Sequence, residues 1–243
     1  MAQGGPTSRY AVDRMACVDV PALPLQLLIR RHPDWSNQPA VVLKRDTPHG
    51  AILWLNEAAR RSGVLTGMSY AAGLALTSDL RGVEIAPDEI TQNIATITEL
   101  LRRFTPNIEP SDAHPGVFWL DASGLQPLFA SLTAWAGQVQ SCLRHSGFKS
   151  RIAVGFTRFG TYAAARTGLG TDHREWNEAT VFQDAAAEQD AARQVALSRL
   201  DINPDLRDVL GKLGVHTVGA FVNLPAAGVR TRFGTDAHHL HRL

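Results

Sequence analysis

Carboxylates that close short apolar segments are the first residues in this 243-residue chain with chemistry to offer. Asp19 stands near the end of residues 14–20 (RMACVDV), Asp121 ends Val117–Asp121 (VFWLD), and Asp112 precedes Pro115. Two such groups brought together could hold a hard divalent cation such as Mg²⁺, which takes oxygen ligands in octahedral geometry. A lone carboxylate at a strand end also reads as a hydrogen-bonded polar residue, so Asp19 carries both readings. Arg60 and Arg158 are cations that could hold an anionic group, or could be exposed charges on solvated faces. The pairs Arg30-Arg31, Arg60-Arg61 and Arg102-Arg103 divide in the same way between anion contacts and ordinary surface charge. His238, His239 and His241 have no Cys or carboxylate following them and read as a flexible or helical end, not a ligand set. Trp54, Trp119 and Trp135 lie within apolar runs and read as core.

The elements that must position these residues follow from patterning. Short β-prone runs at residues 14–20, 40–43, 51–55, 83–86, 117–121 and 151–156 read as strands. Between them, residues 25–31, 56–62, 69–76, 89–104, 125–147 and 160–166 read as helices. Ile90, Ile94, Ile97 and Leu101 recur at helical spacing behind Asp88, a plausible N-cap, and Gly63 fits the position after a helix end. Strands alternating with helices indicate an α/β arrangement with helices packed on a sheet. Composition shifts near residue 178: residues 178–194 are rich in Ala, Asp and Gln, and residues 206–213 and 217–224 read as helix, tight turn, helix.

Composition narrows the class. At 44% hydrophobic and 19% charged, the chain can bury a sizeable core in one or two domains. A formal net charge of +1 lacks the basic excess of a dedicated nucleic-acid binder, so DNA contact would come from local patches. Cys17 and Cys142 are far apart and outside any C-x-x-C pair, which points to a reducing cytoplasmic setting. Residues 1–9 read as a frayed tail, not a signal peptide, and apolar runs stop well short of a membrane span.

Five separated segments, in order, resemble the Y-family translesion DNA polymerases. Cys17-Val18-Asp19-Val20 resembles the first palm strand, whose Asp binds metal. Asn56-Glu57-Ala58-Ala59-Arg60-Arg61-Ser62-Gly63-Val64 with Gly67-Met68 resembles the fingers motif N-Y-E-A-R-x-x-G-V-x-x-G-M. Phe118 to Ser123 (FWLDAS) resembles the end of the S-x-D-E-x-Y-L-D-x-(S/T) strand, and Ile152 to Thr157 (IAVGFT) the strand before the S-K-N-K turn. Residues 210–221 (LGKLGVHTVGAF) resemble the thumb's helix-hairpin-helix. Leu213 to Gly219 and Arg232-Phe233-Gly234 are most similar to the degenerate ImuB-type branch.

The resemblance implies an α/β fold: an α+β palm with a ferredoxin-like sheet (residues 10–25 and 82–178), small α/β fingers (26–81) and an incomplete all-α helix-hairpin-helix thumb (179–243), ending before a little finger. It also implies where the catalytic groups should be. The Asp-Glu pair of the family falls on Gly116-Val117, which bind no cation, leaving Asp19 as a remnant. Asp121 lies five residues beyond Gly116, about 17 Å along a strand and of opposite facing. Glu57 replaces the phosphate-binding Tyr while Arg60 is retained, and Gly160 replaces the turn Lys with Arg158 nearby. Pro24 takes the position of the ribose-excluding aromatic. Ile202-Asn203-Pro204-Asp205 replaces the P-G-I-G turn, while Gly214 of the second hairpin is kept.

These departures lead to the expectation of a non-enzyme: a catalytically inactive scaffold in bacterial DNA-damage tolerance, with no metal and no cofactor. Arg60, Arg158 and Gly214 are its phosphate- or DNA-binding candidates. Its expected partners are damaged primer–template DNA, the sliding clamp, an error-prone replicative-type polymerase and a RecA-like accessory protein, in the cytoplasm at the nucleoid and without a membrane. The alternative is an active translesion polymerase with a non-standard Mg²⁺ site.

Overall fold

The computed structural model describes residues 13–125, 127–168, 179–200, 202 and 204–225. In chain order the elements are β1 (Met15–Asp19), α1 (Leu23–Arg31), β2 (Ala40–Leu43), β3 (Ile52–Leu55), α2 (Glu57–Arg61), α3 (Tyr70–Leu76), β4 (Arg81–Glu84) and α4 (Pro87–Leu101). They continue with β5 (Ile108–Pro110), β6 (Val117–Asp121), α5 (Leu132–His145), β7 (Arg151–Gly155), α6 (Arg158–Thr167), β8 (Thr180–Val181), α7 (Ala185–Gln194), α8 (Pro204–Lys212) and α9 (Val218–Val222).

Two sheets result. The larger has the order β5-β6-β1-β7-β8, with β1 antiparallel to both β6 and β7. Its alternation divides the core in two, because successive side chains leave a strand on opposite faces. Ala16, Val18, Phe118, Leu120, Ile152 and Val154 face α4 and α5, where Trp135 is fully buried and donates Nε1–H to the Phe104 carbonyl. Cys17, Val117 and Ala153 belong to the opposite core, built with α6 and apolar residues of α7 to α9. The smaller sheet, β3-β2-β4, pairs β2 antiparallel to β3 and parallel to β4 around Val41, Leu43, Ile52, Ala59, Val64 and Leu80.

Several boundaries differ from the sequence reading, each for a local reason. The long helix starts at Pro87, not behind an Asp88 cap: Ala86 is the N-cap, with no side-chain bond. Proline lacks the N–H that would go unpaired there, and Asp88 and Glu89 lie in the first turn, where the helix dipole favours their charge. The helix expected over 125–147 begins at Leu132, because Ser131 caps it by accepting from Ala134 N–H. The strand expected over 83–86 lies at Arg81–Glu84, where parallel pairing sets Ala40 opposite Arg81. The helical tendency of the Ala-rich residues 178–194 is realised as α7, capped by Asp184.

Candidate functional site

Asp19 is held at the last position of β1, opposite Val117 on β6 and Arg151 on β7. Its side chain enters the core beneath α6 and is 1% exposed. There Arg166, from the last turn of α6, donates Nη1–H to Asp19 Oδ1 at 3.1 Å. Asp19 Oδ2 has no hydrogen-bond donor among the described residues. Burial pushes the Asp19 carboxyl above its ordinary value, and Arg166, Arg151 and His114 pull the other way without overcoming it. Burial also holds the Arg151 guanidinium below its usual value; Asp19 opposes this, while Arg199 and Arg166 add to it. The result is one carboxylate among cationic groups.

Gly116 precedes β6 at φ +100°, accepting from Val20 N–H at 2.7 Å. A Cβ there would collide with the Val20 carbonyl, so the turn has no room for a side chain at this position. Val117 faces the Asp19 side and is buried in the α6 core. Asp121 shares the face of Val117, opposite in parity to Gly116 as expected, but pairs with Met15 at the far end of β1. It accepts from Ser123 N–H and Asn107, which hold its carboxyl below the ordinary value. Asp112 is exposed in the loop before Gly116.

The arginine candidates are not brought together. Arg158 opens α6 at a cleft that includes Trp119, Phe156, Glu109 and Asp121. It pairs with Glu109 and lies 4.6 Å over the Trp119 ring, so Trp119, half-buried and packed against the α6 core, also carries a cation on its open face. Arg60 is exposed on α2, loosely paired with Glu57 at 3.9 Å. Gly214, at φ +75°, makes the turn between α8 and α9. Pro24 is buried in the first turn of α1. Of the altered thumb turn, Asn203 lies outside the described residues, as do Arg232-Phe233-Gly234 and His238, His239 and His241.

Arg166, Arg151 and Glu188 were not singled out by the sequence reading. A signal existed for two of them: Arg166 follows three consecutive alanines, and Glu188 interrupts an Ala-rich run. Charged residues set among alanines on a helix can mark places where a small-residue face meets a buried partner.

The family model described as impB/mucB/samB matches residues 18–165, more than half of the chain, from the end of β1 to the last turn of α6. The chain belongs to the impB/mucB/samB family. Among its relatives, DNA polymerase IV of Moorella thermoacetica is 26% identical over 215 residues, covering 86% of this chain and 51% of that protein. Protein ImuB of Caulobacter vibrioides is 27% identical over 175 residues, covering 72% of this chain and 36% of that protein. The chain thus spans about half or less of the curated relatives it matches. Its fold is that of DinB from Sulfolobus solfataricus, with a TM-score of 0.73 at 18% identity over 93% of this chain and 65% of the other. The insertion ternary complex of Dbh DNA polymerase gives 0.70 at 18% identity, over 93% of this chain and 65% of that one. The Y-family resemblance and the mixed α/β fold read from the motifs both stand.

The expectation of a non-enzyme does not stand. It rested on the departures at Gly116-Val117, Glu57 and Gly160, and the proteins this chain resembles include ones named as DNA polymerases, DNA polymerase IV among them. The local chemistry is a separate matter. A two-ion site needs carboxylates bridging cations about 3.5–4 Å apart. Here Asp19 spends one oxygen on Arg166, Val117 offers none, and the described residues hold no cluster of three metal-ligating side chains. These residues do not fit a two-ion centre built on β1 and β6.

Proposed function

We propose that this chain serves error-prone translesion synthesis in DNA-damage tolerance, as a DNA-binding platform that engages damaged primer–template DNA. The observation that carries the reading is the family match across residues 18–165, laid on a polymerase-type sheet with Asp19 opposite β6. In this reading residues 10–25 and 82–178 form the palm, 26–81 the fingers and 179–243 the thumb. Arg60, Arg158 and Gly214 are the phosphate or DNA contacts. The partners are a sliding clamp, an error-prone replicative-type polymerase and a RecA-like protein, in the bacterial cytoplasm at the nucleoid, and the role calls for no cofactor. Among the described residues no helix is long and apolar enough to cross a membrane.

Fluorescence anisotropy of the full-length protein on primer–template DNA, with and without clamp and partner polymerase, tests the role. Binding that neither prefers primer–template nor recruits either partner would sink it. A second reading, a translesion polymerase that holds its metal ions differently, is favoured by the 26% identity to DNA polymerase IV. Template-dependent primer extension with Mg²⁺ or Mn²⁺, abolished by Asp19→Ala, would establish it.

A further inference from the structure

We propose that Glu188 is an internal anion that clasps the α7–α9 segment to the large sheet by filling the donor pocket at the start of α6. The pocket is the turn from β7 into α6. Phe156 N–H and Thr157 N–H donate to Glu188 Oε2 and Oε1 at 2.5 and 3.0 Å, and the Thr157 hydroxyl donates to Oε1. The same hydroxyl accepts from Gly160 N–H at 3.0 Å as the N-cap of α6. One carboxylate therefore receives three hydrogen bonds at the positive end of a ten-residue helix.

Among the described residues no cation balances this charge. Glu188 is 1% exposed and takes part in none of the ion pairs among the described residues. Its compensation is the backbone donors, the hydroxyl and the helix end. The pocket is shaped around the carboxylate from both sides, since a Cβ on Gly155 or on Gly160 would collide with it. Gly160 is thus the wall against which the internal anion rests. Glu188 matters to its own helix as well: it and Ala192 are the buried residues of α7. A helix with so little apolar burial needs a polar anchor to stay seated, and this one reaches 31 or 32 residues back along the chain.

Hydrogen exchange on the full chain tests the clasp, independently of the function proposed above. In Glu188→Ala the amides of Phe156, Thr157 and α7 to α9 should exchange roughly tenfold faster, with β1 and β6 within roughly twofold of the parent. Added formate, a small carboxylate able to enter the vacated pocket, should restore protection. Glu188→Gln, which keeps the volume and loses the charge, and Gly160→Ala, which attacks from the opposite wall, should loosen the same amides and carry the test if the alanine variant does not fold. Unchanged exchange in these variants would overturn the proposal. So would loosening spread equally over both cores, or selective loosening in Glu188→Ala that formate does not reverse, since those outcomes assign the residue to general packing.

Discussion

Arg166 reaches the one buried carboxylate on β1 from a helix 147 residues away in the chain. Breaking a buried pair leaves its remaining charge uncompensated, so Arg166→Met should cost roughly 3 kcal/mol, at the lower end of the usual range because Arg166 keeps 28% side-chain exposure. Adding Asp19→Asn should recover most of that loss, since the stranded charge is then gone; urea midpoints of the parent, two single variants and the double variant measure both. Asp19 and Asp121 should also respond oppositely to pH. Burial raises Asp19 above 3.8, so its contribution to stability is fully present below 3.8 and is lost as pH rises through the folded value. Asp121 is lowered from 3.8 by Ser123 and Asn107, so its contribution is present above 3.8 and is lost as pH falls through the folded value. Carboxyl carbon titration in the native protein should give midpoints on opposite sides of 3.8.

Elements formed where local chemistry was self-sufficient. β1, β6 and β7 were legible because each is a short apolar, β-prone run, and α5 kept its far end where His145 and Gly147 close it. β5 escaped notice because it is three residues ending in Pro110 and exists only as an edge partner of β6. The Asp19 environment was half legible: the strand placed the carboxylate, but Arg166 and the clasping Glu188 act across long chain separations that periodicity cannot register. Asn56 shows an element fixed by one side chain. Its Oδ1 accepts from Ala59 N–H, capping α2, and from Ala40 N–H at the start of β2, while its Nδ2 donates to the Gln38 carbonyl. Asn56→Ala should lower stability by roughly 2–3 kcal/mol, against about 1 kcal/mol for the simple cap lost in Ser131→Ala. Thermal unfolding followed by circular dichroism would separate the two.

At the scale of the whole molecule, a net charge of +1 limits how strongly phosphate contacts can drive DNA binding. Each phosphate contact contributes about −0.9 to the slope of log affinity against log salt on duplex DNA. If Arg60 and Arg158 each make one, exchanging their carboxylate partners Glu57 and Glu109 for phosphate, Arg60→Ala and Arg158→Ala in the full-length protein should each reduce the slope by about that amount. Anisotropy titrations across a salt series measure both slopes.

Cys17 lies fully buried in the core shared by the sheet, α6 and the terminal helices, and burial raises its thiol well above the ordinary value. Cys142, on the opposite side of the sheet, is half-buried on α5. The chain therefore contains its own chemical stopwatch: an alkylating reagent reaches Cys17 only when that core parts, while Cys142 reports reagent access to the other layer.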